Sequence, residues 1–362
     1  MKHLAKKRIF EVEPYRPGKP IDEVKRELKL SKVVKLASNE NPYGPSPSVL
    51  KAMVKEAKSV NRYPDGGCFY LRQALAKHLS VDPKNLIFGN GSDEIIVMAI
   101  RAFAGEGEEV IIAKPSFLIY EIAARLEGAV IKEVPLKKFR YDLNAMRDAV
   151  TAKTKIIFIG NPDNPAGTFV TEKELVAFIK SVRSDILIFI DEAYFEFVND
   201  KNYPDSVKLL KTYKNLIVTR TFSKMYGLAG LRVGYGIADA ELIDIINRLR
   251  EPFNVNSIAQ AAAVACLKDK AYYRRIGREV VSERNKLYRE LKKMGLEYSE
   301  TSTNFILVDV KKDSTAVSAQ LLKKGVIVRD MAFWGLTNYL RVSIGAPSEN
   351  AEFIRTFKIV LK

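Results

Sequence analysis

Two histidines, His3 and His78, and two cysteines, Cys68 and Cys266, are all that 362 residues provide. The shortage excludes several chemistries. With no CxxC pair and no ligand spacing, a structural zinc site lacks donors, and so few histidines cannot build a histidine metal site. No metal is expected. Sparse, unpaired cysteines fit a reducing compartment. His78 falls in the helical pattern Leu71, Leu75, His78 and reads as an ordinary helix-face residue. The opening MKHLAKKRIFEVEPY is basic but never enters an apolar segment, and the most apolar later windows are broken by charge or Gln short of a membrane span. A soluble, cytoplasmic protein with no membrane partner is expected. Phosphate loops of the GxxxxGK[ST] type are missing, GYG at Gly234 to Gly236 lacks the third glycine of a dinucleotide fingerprint, and SVLK at Ser48 to Lys51 comes without SDN or KTG. There is no internal repeat and no low-complexity segment.

What the chain does have is charge and short apolar runs. Lys and Arg total 59 against 43 Asp and Glu, a net charge of +16. These cations are scattered through helical segments among acids, so no basic stripe for nucleic acid forms. A spread positive field suits small phosphorylated or carboxylated substrates. The length exceeds one typical core, which points to two domains or one large α/β domain with an appendage. Leu86 to Phe88, Val110 to Ile112, Ile156 to Ile159, Ile186 to Ile190 and Leu216 to Val218 are almost wholly apolar, and amphipathic stretches such as LRQALAKHL and TEKELVAFIKSV separate them. That pattern predicts strands buried on both faces with crossover helices between them. Near Glu251 to Asn256 it stops. A long helical stretch follows from about Ser257, then NFILVDV, STAVSAQLLKKG, Val326 to Val328 and YLRVSIG, a smaller α+β unit. The expected division is an N-terminal arm over 1–40 that contributes to the small domain, a large domain over 41–252 and a small C-terminal domain over 253–362.

Ligands of an open α/β sheet bind at the carboxyl ends of its strands, so the residues after each apolar run are the informative ones. After Leu86 to Phe88 comes GNGSDE, whose glycines allow close approach and whose helix start suits a phosphate. After Ile186 to Ile190 comes Asp191-Glu192-Ala193-Tyr194, where a carboxylate at the end of an apolar strand is costly unless it meets a cation. After Ile156 to Ile159 a proline-stiffened turn holds Asn164, and after Leu216 to Val218 comes Lys224, with Arg232 eight residues further on. Singly, each is equally a helix cap or a turn residue. Together they offer a phosphate cradle, a carboxylate, an amide, a phenol, an amine and an arginine. That set matches a cofactor with a phosphate, a protonatable ring nitrogen, a phenolic oxygen and an aldehyde, which is pyridoxal 5'-phosphate, with Lys224 as Schiff-base partner.

In this order, ASNENPYGPSP, RYPDGG, GNGSDEII, NPDNPAGT, DEAYFEF, RTFSKMYGLAGLRVGYG and LRVSIGAP span nearly the whole chain. The set resembles the fold-type I pyridoxal-phosphate aminotransferases, most closely their histidinol-phosphate branch. The resemblance implies an α/β fold with a mostly parallel central sheet in a cofactor-binding large domain, and a second, smaller α+β domain. It also implies roles. Lys224 would carry the cofactor and shuttle the proton, Asp191 would pair with the pyridine nitrogen, and Asn164 and Tyr194 would bond the phenolic oxygen. The backbone of Ser92 and Asp93, with Thr221, Ser223 and Arg232, would hold the phosphate, and Phe117 would stack on the ring. Tyr63 would come from the neighbouring subunit of a homodimer with shared active sites.

For the substrate, Arg341 matches the family's fork for the α-carboxylate, and Arg329 a position associated with substrate phosphate, a plain surface arginine being the alternative. Asn41 and Tyr43 of the first motif would also face substrate. Asp163 and Ala166 depart from the more usual NPNNPTG turn, and because Asn164 is intact little effect is expected. The implied activity is transamination between histidinol phosphate and glutamate in histidine biosynthesis. A threonine-phosphate decarboxylase and a broad aromatic aminotransferase are the alternatives.

Overall fold

Each apolar run becomes a strand in the structure, a computed structural model that describes residues 2–14 and 18–362. In chain order the first eight strands are β1 (Val34–Leu36), β2 (Leu86–Gly89), β3 (Glu109–Lys114), β4 (Val130–Pro135), β5 (Thr154–Gly160), β6 (Leu187–Asp191), β7 (Leu216–Thr221) and β8 (Gly234–Ala238). Seven form one sheet in the order β2-β8-β7-β6-β5-β3-β4. Its centre is parallel, while β8 runs antiparallel to both β2 and β7. The sheet is the mostly parallel α/β one that the apolar runs and the resemblance lead to expect. β8 lies outside the apolar runs, since its two glycines are poor strand formers. Gly234 is required there: a Cβ would stand 2.4 Å from the Ser92 nitrogen.

A second sheet has the order β1-β10-β11-β9, with β9 (Phe305–Asp309), β10 (Val326–Asp330) and β11 (Tyr339–Ser343). The N-terminal β1 runs parallel to β10, and β11 is antiparallel to both its neighbours. Between the sheets in sequence lies the helix Ser257–Lys268, whose buried Ala259, Ala262 and Ala263 let it pack closely on the helices Pro47–Glu56 and Phe69–Leu79. It leads into the long helix Lys270–Lys293. Among the described residues no helix is long and apolar enough to cross a membrane.

Register brings the chemically interesting strand ends together. Gly160 of β5 pairs with Asp191 of β6, and Asp191 pairs with Thr219 of β7. Neighbouring residues of a strand face opposite sides of the sheet, which separates Thr219 and Thr221 from Arg220. Arg220 forms a buried ion pair with Glu192 at 2.8 Å and lies 3.5 Å from the centre of the Phe195 ring. Removing one partner of such a pair strands a charge in the interior. Arg220→Ala is expected to cost about 3–5 kcal/mol of unfolding free energy, read by denaturant unfolding. Arg220→Met with Glu192→Leu should recover most of it. A single-variant loss no larger than that of an exposed pair would mean that Glu192 is compensated elsewhere.

Candidate active site

A cavity of about 370 Å³ opens where the ends of β5, β6 and β7 meet β10 and β11. At its floor is Asp191. The apolar run before it makes β6 wholly buried, so the carboxylate is delivered largely out of bulk solvent to the cavity floor. Its Oδ2 accepts from the Tyr120 hydroxyl at 2.7 Å and its Oδ1 from the Ala193 N–H at 3.2 Å. Burial pushes the Asp191 carboxyl up to about 6, although the Tyr120 bond pulls the other way. The charge is therefore only partly compensated by the protein. Tyr120 is itself held flat on Phe158, with ring centroids 4.5 Å apart.

Beside Asp191, the Tyr194 hydroxyl receives bonds from the Asn39 amide at 3.0 Å and the Asn164 amide at 3.4 Å. Burial raises the phenol to about 12, so Tyr194 stays a neutral donor. Asn39 sits in the left-handed region (φ 55) that asparagine tolerates. Its backbone N–H donates to the Ser343 hydroxyl at 2.8 Å, and its carbonyl accepts from Asn304 at 2.9 Å, tying the first motif to the second sheet. The Lys224 ammonium donates to the Ser38 carbonyl at 3.2 Å and stands 5.7 Å from the centre of the Tyr194 ring.

At GNGSDE the structure has a glycine-led helix start. Ser92 and Asp93 open the helix Ser92–Phe103 after Gly91, which has φ 82. A Cβ on Gly91 would fall 2.5 Å from the Arg232 guanidinium, so glycine here is what lets the arginine reach the helix start. Arg232 bonds Asp93 at 3.1 Å, and Thr221 Oγ1 accepts from the Ser223 N–H at 3.1 Å. Ser92, Asp93, Thr221, Ser223 and Arg232 all line the cavity, and Phe117 forms part of its wall. The departure at Asp163 is absorbed inside the turn. Its carboxyl, raised to about 7 by burial, is bonded by Tyr141 at 3.2 Å and the Ala166 N–H at 3.1 Å.

Two arginines of the second sheet complete the cavity. Arg341 bonds the Asn164 side-chain oxygen and the Ala37 carbonyl, the latter at 3.0 Å. Arg329, on the adjacent strand, lines the same space together with Trp334. Three expected residues stand elsewhere. The Asn41 amide bonds the Met225 carbonyl at 2.7 Å and its oxygen accepts from the Tyr43 N–H at 2.9 Å, so Asn41 braces the turn after Lys224 from outside the cavity. The Tyr43 phenol, raised to about 12 by burial, lies near Glu279. Tyr63 is 83% exposed and stacked on Phe253 at 4.7 Å, away from this chain's cavity. Conversely, Tyr120, Asn39 and Trp334 were missed. Tyr120 lies three residues after Phe117, so a helical spacing to an expected ring was the one available signal.

These groups fit pyridoxal 5'-phosphate. The glycine-lined helix start with Arg232 would hold the phosphate, Asp191 would gain the missing partner for its charge at the ring nitrogen, and Tyr194 and Asn164 would reach the phenolic oxygen. Lys224 would supply the amine for the aldehyde.

Comparison with known proteins agrees with this geometry. The family model for aminotransferase class I and II matches residues 31–357. The chain is 48% identical over 355 residues to a histidinol-phosphate aminotransferase of Moorella thermoacetica, covering 98% of this chain and 92% of that one. It is 44% identical to histidinol-phosphate aminotransferase 2 of Carboxydothermus hydrogenoformans, covering 99% of both. Among solved structures, histidinol-phosphate aminotransferase of Sinorhizobium meliloti in complex with pyridoxal-5'-phosphate superimposes with a TM-score of 0.90 at 27% identity, covering 98% of this chain and 96% of that one. With a family model spanning most of its length and relatives this similar along nearly all of it, the chain belongs to the aminotransferase class I and II family.

Proposed function

We propose that this enzyme is a histidinol-phosphate transaminase, moving the amino group between histidinol phosphate and glutamate through pyridoxal 5'-phosphate in histidine biosynthesis. One observation carries the reading: Arg329 and Arg341 pair across adjacent strands and both line the cavity that contains Lys224 and Asp191. The two amino donors share no anion pattern, because histidinol phosphate has a phosphate and no carboxylate while glutamate has two carboxylates. A site serving both needs two cationic donors within one space. The relatives named above carry the same activity in their names.

When bound, pyridoxal phosphate supplies the aldehyde that takes up the amino group and a ring that accepts the electron pair left on the substrate carbon. The protein's part follows from its residues. Lys224 Nζ would hold the cofactor at its aldehyde, and the same amine would carry the proton at the amine-bearing carbon of the substrate. Asp191 would favour a protonated ring nitrogen by its negative charge. Tyr194 and Asn164 would orient the phenolic oxygen. Arg341, held by Asn164 and Ala37, forks the α-carboxylate of glutamate. Arg329 meets the substrate phosphate or the distal carboxylate.

The active unit is a homodimer in this reading. Tyr63, Phe69, Tyr70 and Phe253 leave aromatic surface in water, which supports a contact with a second copy on this face. Tyr63 then reaches the partner's cavity. Buried, unbridged Cys68 and Cys266 suit the cytoplasm.

Kinetic, spectroscopic and subunit-mixing measurements test these assignments. Lys224→Ala should abolish turnover and the absorbance band of the covalently held cofactor while the fold persists; normal transamination would remove Lys224 from its role. Losing a hydrogen bond to a charged group costs about 1.5–3 kcal/mol, roughly a tenfold to hundredfold fall in kcat/KM. Arg341→Ala should impose it on glutamate. Arg329→Ala should impose it on histidinol phosphate and much less on unphosphorylated histidinol, and equal losses on both would mean that Arg329 does not read phosphate. Carbon dioxide release from O-phosphothreonine would instead indicate a decarboxylase, and phenylpyruvate turnover without need of phosphate a broad aromatic aminotransferase. Mixing inactive Tyr63→Ala with inactive Lys224→Ala should restore part of the activity through heterodimers with one intact site. Subunit exchange without recovery would place Tyr63 outside the partner's site.

A further inference from the structure

The register that makes the site also creates a conflict. Arg329 and Arg341 are direct cross-strand partners in β10 and β11, and like charges so placed repel. Both nevertheless face one cavity. Each is steered by its own aromatic ring. The Arg341 guanidinium lies 5.4 Å from the centre of the Phe305 ring and is further held by Asn164 and Ala37. The Arg329 guanidinium lies 4.9 Å from the centre of the Trp334 ring.

Trp334 is more than a surface platform. It is buried, and its indole N–H donates at 3.1 Å to the carbonyl of Ser116, the residue before cavity-wall Phe117. Its ring packs with Leu118 on the large-sheet side and with Leu307 and Met331 on the small-sheet side. The short segment that presents it is fixed by Asp330, which accepts from Ser314 at 2.6 Å, Thr315 at 2.7 Å and the Ala332 N–H at 3.0 Å. One side chain therefore touches the arginine, the cofactor wall and the junction of the two sheets.

We propose that Trp334 is the positioning residue that sets where Arg329 presents its charge, and through it the preference for a phosphorylated amine over an unphosphorylated one. The inference rests on the reading of Arg329 given above. A cation held over an indole face is oriented as well as attracted, because the ring's negative face is fixed in direction. The Ser116 bond fixes that face relative to the cavity wall, so the distance from the reacting amine to the Arg329 charge depends on the tryptophan.

The test uses the holoenzyme and follows the amino-donor half-reaction with histidinol phosphate and with histidinol. Trp334→Leu should raise KM for histidinol phosphate by about twofold to thirtyfold, the range of a cation–π contact, with a much smaller change in kcat and in histidinol turnover. In an Arg329→Ala background the same substitution should add little, since the arginine it positions is gone. Trp334→Phe keeps a weaker ring face and loses the Ser116 bond. It should fold where the leucine variant does not, and lower the phosphorylated-to-unphosphorylated preference by at least about twofold. Equal losses on both substrates, an undiminished effect in the Arg329→Ala background, or an unchanged preference in Trp334→Phe would each overturn the inference and make Trp334 a packing residue. If Arg329→Ala alone loses the same factor on both substrates, it is the phosphate role of Arg329 that fails, and the positioning role fails with it.

Discussion

The cost of burying charge organises this molecule. At the end of β6 two carboxylates follow one another, and both are buried. Arg220 from β7 meets Glu192 in a closed ion pair. Asp191 faces the cavity with a phenol and a backbone N–H as its partners among the described residues. One anion is spent on holding strands together, and the other would gain a compensating cation from a protonated ring nitrogen. The same physical penalty thus sets a structural carboxylate beside a cavity-facing one at adjacent positions.

Anions are handled by a second use of charge, distributed over both sheets. In the proposed reading the cofactor's phosphate end would be served by a helix start and Arg232, made mutually accessible by Gly91 and Gly234. The substrate's anions would be served by Arg329 and Arg341, each of which lies near an aromatic ring of its own. Residues of the large sheet would then face the cofactor while the small sheet contributes the two arginines. Asn39 and Trp334 tie the two sheets at separate points, through Ser343 and Asn304 in one case and Ser116 in the other.

Asn41 and Tyr43 show how a motif next to a site can act from behind it. Asn41 braces the Met225 carbonyl, one residue from Lys224, and Tyr43 packs towards the long helix near Glu279. In a single chain neither lines the cavity, and Tyr63 lies on an outer aromatic patch.

Local pattern was enough to pick out the buried strands and to single out Ser92, Asp93, Lys224, Asp191 and Asn164, which the fold brings to one cavity. Apolar periodicity, glycine and strand-end chemistry are each confined to a few consecutive residues, and the order of the motifs carried the resemblance. Tertiary structure decided the rest. Tyr120 became the partner of Asp191, Asn39 that of Tyr194 and Trp334 that of Arg329, through contacts that no short window of sequence displays, apart from the near-local Arg329–Trp334 pair. Even there the sequence shows two residues five apart, while the turn at Asp330 and the bond to Ser116 create the platform. Apolar periodicity alone does not separate Asp191 from Glu192; the resemblance singled out Asp191, and the fold gives the two neighbours different surroundings, the cavity for Asp191 and Arg220 for Glu192, because adjacent carboxylates are chemically alike and differ in what is packed against each.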